Sequence, residues 1–558
     1  MTRARLGALL LLAVLSPILA SAAWAQVEED TVPRTILVEV DGLSFDEALG
    51  IPELAALARA GGAGLLVNPD DLYADPAFRR RGLEQIELVR LDRTSPTFGA
   101  DLREAVEAEP ADSVLVVVTS KTPPGGVGND ELAPIVMAVG ASAELFPAAG
   151  PQGSLTSEST RRDGVVASAD VGATFLTALP GPSSDLGTPI EIIEGPPPFE
   201  LHERYLAQRR MYIPIGGAAA AYVIGFGLVA VAFLAAGPRV GVRWRRVAGW
   251  ISLSVAMLAV GLLAAGHLPE LTYAAVVPFI ALVTVFGTLA FAPLERRDVL
   301  LVPAGIGLAV LGCFVVEAAL GWSAMLTPFV GGSQLDGGRF YGMPNVCIGL
   351  LVGACFWVAQ RLRTAAGVVL LVGAALFAGL PSLGANLGGA ATLFAGAGLW
   401  IAVHERERLG LWKGLAVFLG ITLLGTALIL LVHAVSPIET HVTRFEEEVS
   451  GIGGIIEKFA DRLKVGFDLI ARNPLALIPV LGLPVAILAA LRPPSALRPS
   501  LERSPAWRDA ILATLLTGVV AYVLNDSGPA AAGFAFGLGL GGLMGVSLLL
   551  GAGKMVDR

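Results

Sequence analysis

This chain is poor in charge, histidine and cysteine. Asp, Glu, Lys and Arg make up 16% of its 558 residues, against 54% hydrophobic residues. That balance excludes an ordinary soluble protein of this length. The three cysteines, Cys313, Cys347 and Cys355, all lie in apolar stretches. They form no disulfide framework and leave no Cys/His spacing for a metal. They read as packed or lipid-facing residues. What charge there is divides unevenly. Residues 27–208 hold 30 acidic and 12 basic side chains, a net of −18, whereas from Arg209 onward the numbers are 18 and 25, a net of +7. An acidic segment ahead of a basic, apolar one gives nucleic acid no footing.

Residues 1–25 have the pattern of a secretory signal peptide: Arg3 and Arg5, an apolar run over 6–20, then Ala23-Trp24-Ala25 as a cleavage site. An uncleaved anchor is the alternative, and either way the next segment is exported. Within 27–200, apolar runs at 35–40, 63–67, 86–91, 113–119 and 134–139 alternate with helical patterns at 44–60 and 99–108. Buried strands separated by helices predict an α/β domain with a parallel-rich sheet covered on both faces. Pro-rich stretches at 181–184 and 195–198 lead into a linker at 201–211.

From 212 to 558 eleven apolar runs follow, at 212–236, 247–266, 271–292, 299–320, 346–360, 365–380, 388–403, 412–435, 475–491, 508–525 and 529–551. A bilayer core takes about 20 residues per helix. The expected fold class is thus an α/β exported domain followed by an all-α polytopic membrane domain of eleven helices. With the first domain outside, the inner loops carry Arg239, Arg243, Arg245 and Arg246; Arg296 and Arg297; Arg361 and Arg363; Arg406, Arg408 and Lys413; Arg492, Arg498 and Arg503; Lys554 and Arg558. Each is basic, as the positive-inside bias requires. Signal peptide and loop charge agree on a multi-pass protein of the cell membrane with its N-terminal domain extracytoplasmic.

That topology places three polar clusters on the outer face. They are Asp336-Gly-Gly-Arg339-Phe-Tyr341-Gly-Met-Pro-Asn345, Leu383-Gly-Ala-Asn386-Leu-Gly-Gly389 and Asn525-Asp526-Ser527-Gly528. Ionisable groups near a bilayer are costly and tend to be kept for function. Arg339 suits a phosphate; Tyr341, Asn345, Asn386 and Asn525 suit hydroxyls, with Asp336 and Asp526 beside them. A structural role competes, in which Arg339 pairs with Asp336 or Asp526 and the glycines permit close packing. Glu317, the only acid deep in a span, suits a proton relay or a hydrogen bond to a neighbouring helix. His433 lies at the interface. The outer insertion 436–474 repeats apolar residues at helical spacing, as an amphipathic helix on the membrane or under the exported domain does.

The exported segment carries a resemblance. Val38-Glu39-Val40 runs into Asp41-Gly42 and a helix ending Leu57-Ala-Arg-Ala-Gly-Gly62; later come Thr156-Ser-Glu-Ser-Thr160 and Ala169-Asp170-Val-Gly. The pattern resembles the opening and a late segment of the alkaline-phosphatase-like superfamily. There a carboxylate at the strand end binds the first metal, which implies a metal-dependent hydrolase or phosphotransferase ancestry with Asp41 as the vestigial ligand. The departures fall on the chemistry. The superfamily's late Asp-His-Gly is replaced by Lys121-Thr-Pro-Pro, no histidine occurs between Gln26 and Leu201, and Leu65-Leu-Val-Asn68-Pro-Asp70-Asp71 stands in the nucleophile's place. Two-metal transfer needs several Asp and His ligands. The domain therefore reads as truncated, degenerate and non-catalytic, with no metal and no cofactor.

The motif Gly338-Arg-Phe-Tyr-Gly-x-x-Asn345, with the other two clusters, resembles a family of bacterial polytopic proteins that carry such a domain and have no settled activity. It implies architecture rather than mechanism. The expected function is binding or transport of a lipid-linked or glycan precursor at the outer face, with membrane lipid and an anionic ligand as partners. A transferase using Asp336, Arg339 and Asp526 on a lipid-linked donor is the alternative. A metal-dependent phosphatase-like exported domain is the second.

Overall fold

The computed structural model describes residues 35–40, 48, 51–60, 62–67, 72, 78, 87–92, 95, 97–107, 114–119, 132–139, 153–177, 187–194, 198–331, 333–336, 340–436, 464, 477–525 and 528–556. The signal-peptide segment, nearly all of 436–474, and Asp41, Arg339 and Asp526 lie outside them. The chain divides into two compact units, 1–198 with 432–444, and 199–431 with 445–558.

The first unit is a sheet sandwiched by helices. Its strands are β1 (Thr35–Val40), β2 (Gly62–Val67), β3 (Glu87–Leu91), β4 (Val114–Val118), β5 (Ala133–Val139), β6 (Gly153–Ser157), β7 (Val165–Ala167) and β8 (Ile190–Glu194). They lie in the order β3-β1-β4-β5-β2-β6-β8, with β7 beside β2. Alternation along β1 sends Ile36, Val38 and Val40 to one face, against Leu54 and Leu57 of α1 (Pro52–Ala60) and Phe98 and Leu102 of α2 (Phe98–Glu107). Leu37 goes to the other face, in a cluster with Val116, Phe78 and Val171 and Phe175 of α3 (Ser168–Thr177). Both faces are covered, which is why the strands read as unbroken apolar runs. The sheet is mixed: β1 is parallel to β3 and β4, and β2 to β6 and β7. β5 is antiparallel to both neighbours, as is β8 to β6.

The second unit is helical. α4 (Phe199–Ala236) is one continuous helix, so 201–211, expected as a linker, is its opening. Its polar residues hold it in place. The Arg204 guanidinium donates to the carbonyls of Gly266, Leu268 and Pro269 at 2.6–2.9 Å, and Gln208 donates to Pro328 O at 2.5 Å. Then follow α5 (Val242–Leu253), α6 (Val255–Ala264), α7 (Tyr273–Leu289), α8 (Leu301–Ala319), α9 (Asn345–Ala359), α10 (Thr364–Gly379), α11 (Leu387–His404), α12 (Arg406–Val435), α13 (Leu477–Leu491), α14 (Pro505–Leu524) and α15 (Gly528–Val556). Among the described residues seven helices are long and apolar enough to cross a membrane, or eight if α5 and α6, bent by 42°, count as one span. The eleven expected runs exceed this by α9, α10 and α13, apolar helices of 15 or 16 residues. At 1.5 Å per residue these reach about 22–24 Å, short of a hydrocarbon core of about 30 Å.

Alternation of helix direction gives the bundle two chemically distinct ends. One collects the arginine-rich connections, tied by Arg246–Glu295 and Arg361–Asp298 at 2.9 Å and Arg406–Asp509 at 2.6 Å. The other, here the asparagine end, collects 265–272, 320–344, 380–386 and the junction after Leu524. Outer helices expose large apolar side chains such as Leu228, Phe286, Leu424 and Leu481. The centre is dry. Every residue of α9 from Val346 to Ala359 is buried.

Three central helices, α9, α11 and α15, enter from the asparagine end and run side by side in the same direction. Ile348 of α9 packs on Gly389 of α11, and further along Phe356 meets Trp400 at 6.0 Å. Gly349 faces Ala531 of α15 so closely that a Cβ there would overlap the Ala531 carbonyl, and Gly542 lies under Trp357. Glycines permit this backbone approach.

Candidate functional site

The asparagine end is assembled from helix caps. Asn386 precedes α11 and accepts from Gly389 N at 2.8 Å through its Oδ1, an N-cap. Its Nδ2 donates to Met343 O and to Asn345 Oδ1, both at 2.9 Å. Asn345 is the first residue of α9. Asn525 ends α14 and donates through Nδ2 to Ala521 O at 2.9 Å and Thr392 Oγ1 at 3.1 Å, one turn into α11. Its Oδ1 is buried, has no partner among the described residues, and faces Gly388.

A tight loop frames these amides. Met343 N donates to Gly384 O at 2.8 Å, and Gln334 Nε2 to Gly342 O at 2.9 Å. Gly342 has φ 76°, and a side chain there would strike the Gly384 carbonyl, so glycine is required. Ala385 at φ 44° and Trp322 at φ 61° are left-handed although neither is glycine. Such backbone is held by its surroundings and clusters at functional sites. The Trp322 indole donates to Leu383 O at 2.8 Å, joining 320–344 to 380–386.

Glu317 sits in the last turn of α8, and it has a partner. Its Oε1 meets Nε2 of His267, at the end of the turn that follows α6. Ser323 Oγ lies 3.5 Å from His267 Nδ1. The Glu317 side chain is 6% exposed and that of His267 34%. Glu317 Oε2 has no partner among the described residues.

The arginine end holds a different cluster. Asp509 of α14 is buried, with Arg406 Nη1 at 2.6 Å and His404 Nδ1 at 3.3 Å. The His404 ring stacks on Trp400, centroids 5.1 Å apart. Both partners come from the α11–α12 junction, so Asp509 pins that turn to α14.

In the first unit, Asp170 is fully buried. Its Oδ2 accepts from Ser157 Oγ at 2.7 Å and Ala167 N at 2.8 Å, and its Oδ1 from Thr188 N at 3.1 Å. Burial pushes its carboxyl above the ordinary 3.8, while hydrogen bonds from Ser159, Ser157, Ala167 and Thr188 pull it back. Between 3.8 and that raised value the unfolded chain has lost a proton that folded Asp170 keeps, so stability falls as pH rises through this window. Hydrogen exchange into β6 of the full-length chain, corrected for intrinsic rates, should show protection declining across the window. The decline should vanish in Asp170→Asn. The ends of β1 and β6 stand four strand steps apart, about 19 Å at the usual spacing. A two-metal centre, with ions about 4 Å apart, does not draw on both. Among the described residues no three His, Cys, Asp or Glu side chains are placed to share a metal ion.

Of the residues singled out in the sequence, Asn345, Asn386 and Asn525 come together. Tyr341 is half-buried beside Gly342, and the backbone of Asp336 ends a short turn at 334–336. Arg339, Asp526 and Asp41 lie outside the described residues. His433 is buried two residues before the end of α12. Sequence reasoning missed His267, Ser323, Thr392 and Asp509. The available signal was positional, since His267 closes one apolar run and Glu317 nearly closes another on the same side.

An α/β unit joined to a bundle of long apolar helices with lipid-type outer faces defines a multi-pass membrane protein. No protein-family model, curated protein or solved structure matches the chain.

Proposed function

We propose that the asparagine end faces outward and binds the phosphate- and hydroxyl-bearing headgroup of a lipid-linked or glycan precursor, for presentation or transport rather than chemistry. The observation that carries this is the convergence of three parallel helix N-termini with their asparagines. Each N-terminus holds about half a positive charge and first-turn N–H groups without helical acceptors. Side by side, the three potentials add, as at phosphate sites. Asn525 Oδ1, which has no partner among the described residues and faces the first turn of α11, is the acceptor assigned to a hydroxyl. Arg339, in the loop that leads to Asn345, is the cation assigned to the phosphate. The basic loops at the opposite end support an inward orientation for that end. The α/β unit is taken as a degenerate phosphatase-like binding module, because Asp170 is already engaged by local donors.

Native mass spectrometry of the full-length protein extracted from its own membranes tests the reading. A phosphorylated lipid adduct is expected in the wild type and absent in Arg339→Ala, with the unfolding temperature unchanged. Retention of the adduct, or collapse of the fold, removes Arg339 from a headgroup site. Orientation is tested with Glu270→Cys and Glu502→Cys in a cysteine-free background, since both glutamates are exposed at opposite ends. Ser500 is unsuitable, being buried against Ser547 at 2.6 Å. An impermeant thiol reagent should label Glu270→Cys alone from outside. Equal labelling overturns the orientation.

A further inference from the structure

We infer that Glu317 and His267 form a proton-binding site, loaded from the asparagine end and mechanically tied to the loop that carries the polar cluster. Three observations meet there. Glu317 is almost wholly buried, yet one of its two oxygens has no partner among the described residues. A buried ionised carboxylate with an open lone-pair site is costly, and a proton on that group removes the cost. Its other oxygen meets an imidazole that is one-third exposed, which supplies the path by which a proton arrives. Histidine is suited to this transfer because it takes a proton on one nitrogen and releases one from the other.

Among the described residues, no other acid or base substitutes for the pair. Cys313, one turn earlier on α8, and Cys347 on α9 are the titratable side chains facing Glu317. Arg204 is engaged by the carbonyls on either side of His267, and Glu270 stands exposed in the following connection. Imidazole and carboxyl are in direct contact, so a proton held there belongs to the couple rather than to either residue.

The link to the loop is direct. Trp322 N donates to Glu317 O at 2.8 Å, Ser323 approaches His267, and the Trp322 indole holds Leu383 O three residues before Asn386. Trp322 occupies left-handed backbone at this hinge. A change of charge at Glu317 therefore acts on the segment that positions Asn345 and Asn386. The site stands whether or not the asparagine end takes a headgroup, and its test uses none.

The experiment is an infrared pH titration of the full-length protein in lipid nanodiscs, with hydrogen exchange of residues 320–344 recorded across the same range. One carboxyl band that titrates in the wild type should be missing in Glu317→Gln. In His267→Gln its midpoint should be displaced, because the imidazole no longer shares the proton. Exchange in 320–344 should follow the same midpoint in the wild type and lose its step in Glu317→Gln. A band unaffected by either substitution overturns the proposal, as does exchange in 320–344 that is indifferent to the couple. If Glu317→Gln does not fold, the His267→Gln shift decides alone.

Discussion

Gly349→Ala is expected to break the core of the membrane half. The added methyl falls on the Ala531 carbonyl oxygen, a backbone atom in a neighbouring helix, and no rotamer relieves it. α9 and α15 must separate, and the fit of Gly353 against Leu538 and of Gly542 against Trp357 goes with them. Overpacking typically costs about 1–3 kcal/mol, occasionally more. A backbone clash at the centre of a buried helix belongs at the upper end, so a loss of about 3 kcal/mol is expected. Gly373→Ala is the matched control. It lies on α10 with nothing within 4 Å of the new methyl, so it should be neutral or stabilising by up to about 1 kcal/mol through helix propensity. Thermal unfolding followed by tryptophan fluorescence in one detergent should separate the two variants clearly. Equal melting would mean that α9 and α15 do not touch.

Asn386→Ala should cost about 2–4 kcal/mol, combining a lost N-cap with buried groups left unsatisfied. Gly389 N loses its acceptor, and Met343 O and Asn345 Oδ1 lose their donor. The side chain is fully buried, so bulk water does not replace it. Asn386→Asp separates the two halves of this role. It keeps the acceptor for Gly389 N but turns an acceptor towards Met343 O and Asn345 Oδ1, and should be at least as destabilising as alanine. If Asn386→Asp melts like the wild type, the cross-loop bonds carry no weight and the cap alone matters.

These two sites illustrate what was legible beforehand. The clusters around Asn345, Asn386 and Asn525 each precede or follow an apolar run by a residue or two, and parity of the runs assigns all three to one face. The Asn386–Asn345 bond, and the approach of Asn525 to the first turns of α11, were not readable, because they depend on which helices neighbour one another in the bundle. Glu317 stood out by charge, whereas His267, 50 positions earlier, did not, since pairing is set by the packing of α6 against α8. The start of α4 was hidden for a different reason. Hydropathy marks where a helix becomes apolar, and residues 199–211 are helical and polar. In the α/β unit the buried strands β1, β2, β4 and β5 were visible as apolar runs. Their directions were not, since a strand apolar on both faces has the same composition either way. The short β7 and the amphipathic β8, with its outward Glu191 and Glu194, gave too few apolar residues to register.

The position of α15 also governs how this protein is made. It comes after the other described helices in sequence, yet it touches α4, α5, α9, α13 and α14. During synthesis every earlier helix leaves the ribosome before the one around which they close. The glycine-facing surfaces of α5 and α9 must wait in the bilayer, covered by lipid or by an insertion factor, until residues 528–556 arrive. Closure of the described bundle thus waits on α15. A ribosome that stops before Gly528 leaves a set of inserted helices with no centre, a clear substrate for membrane quality control.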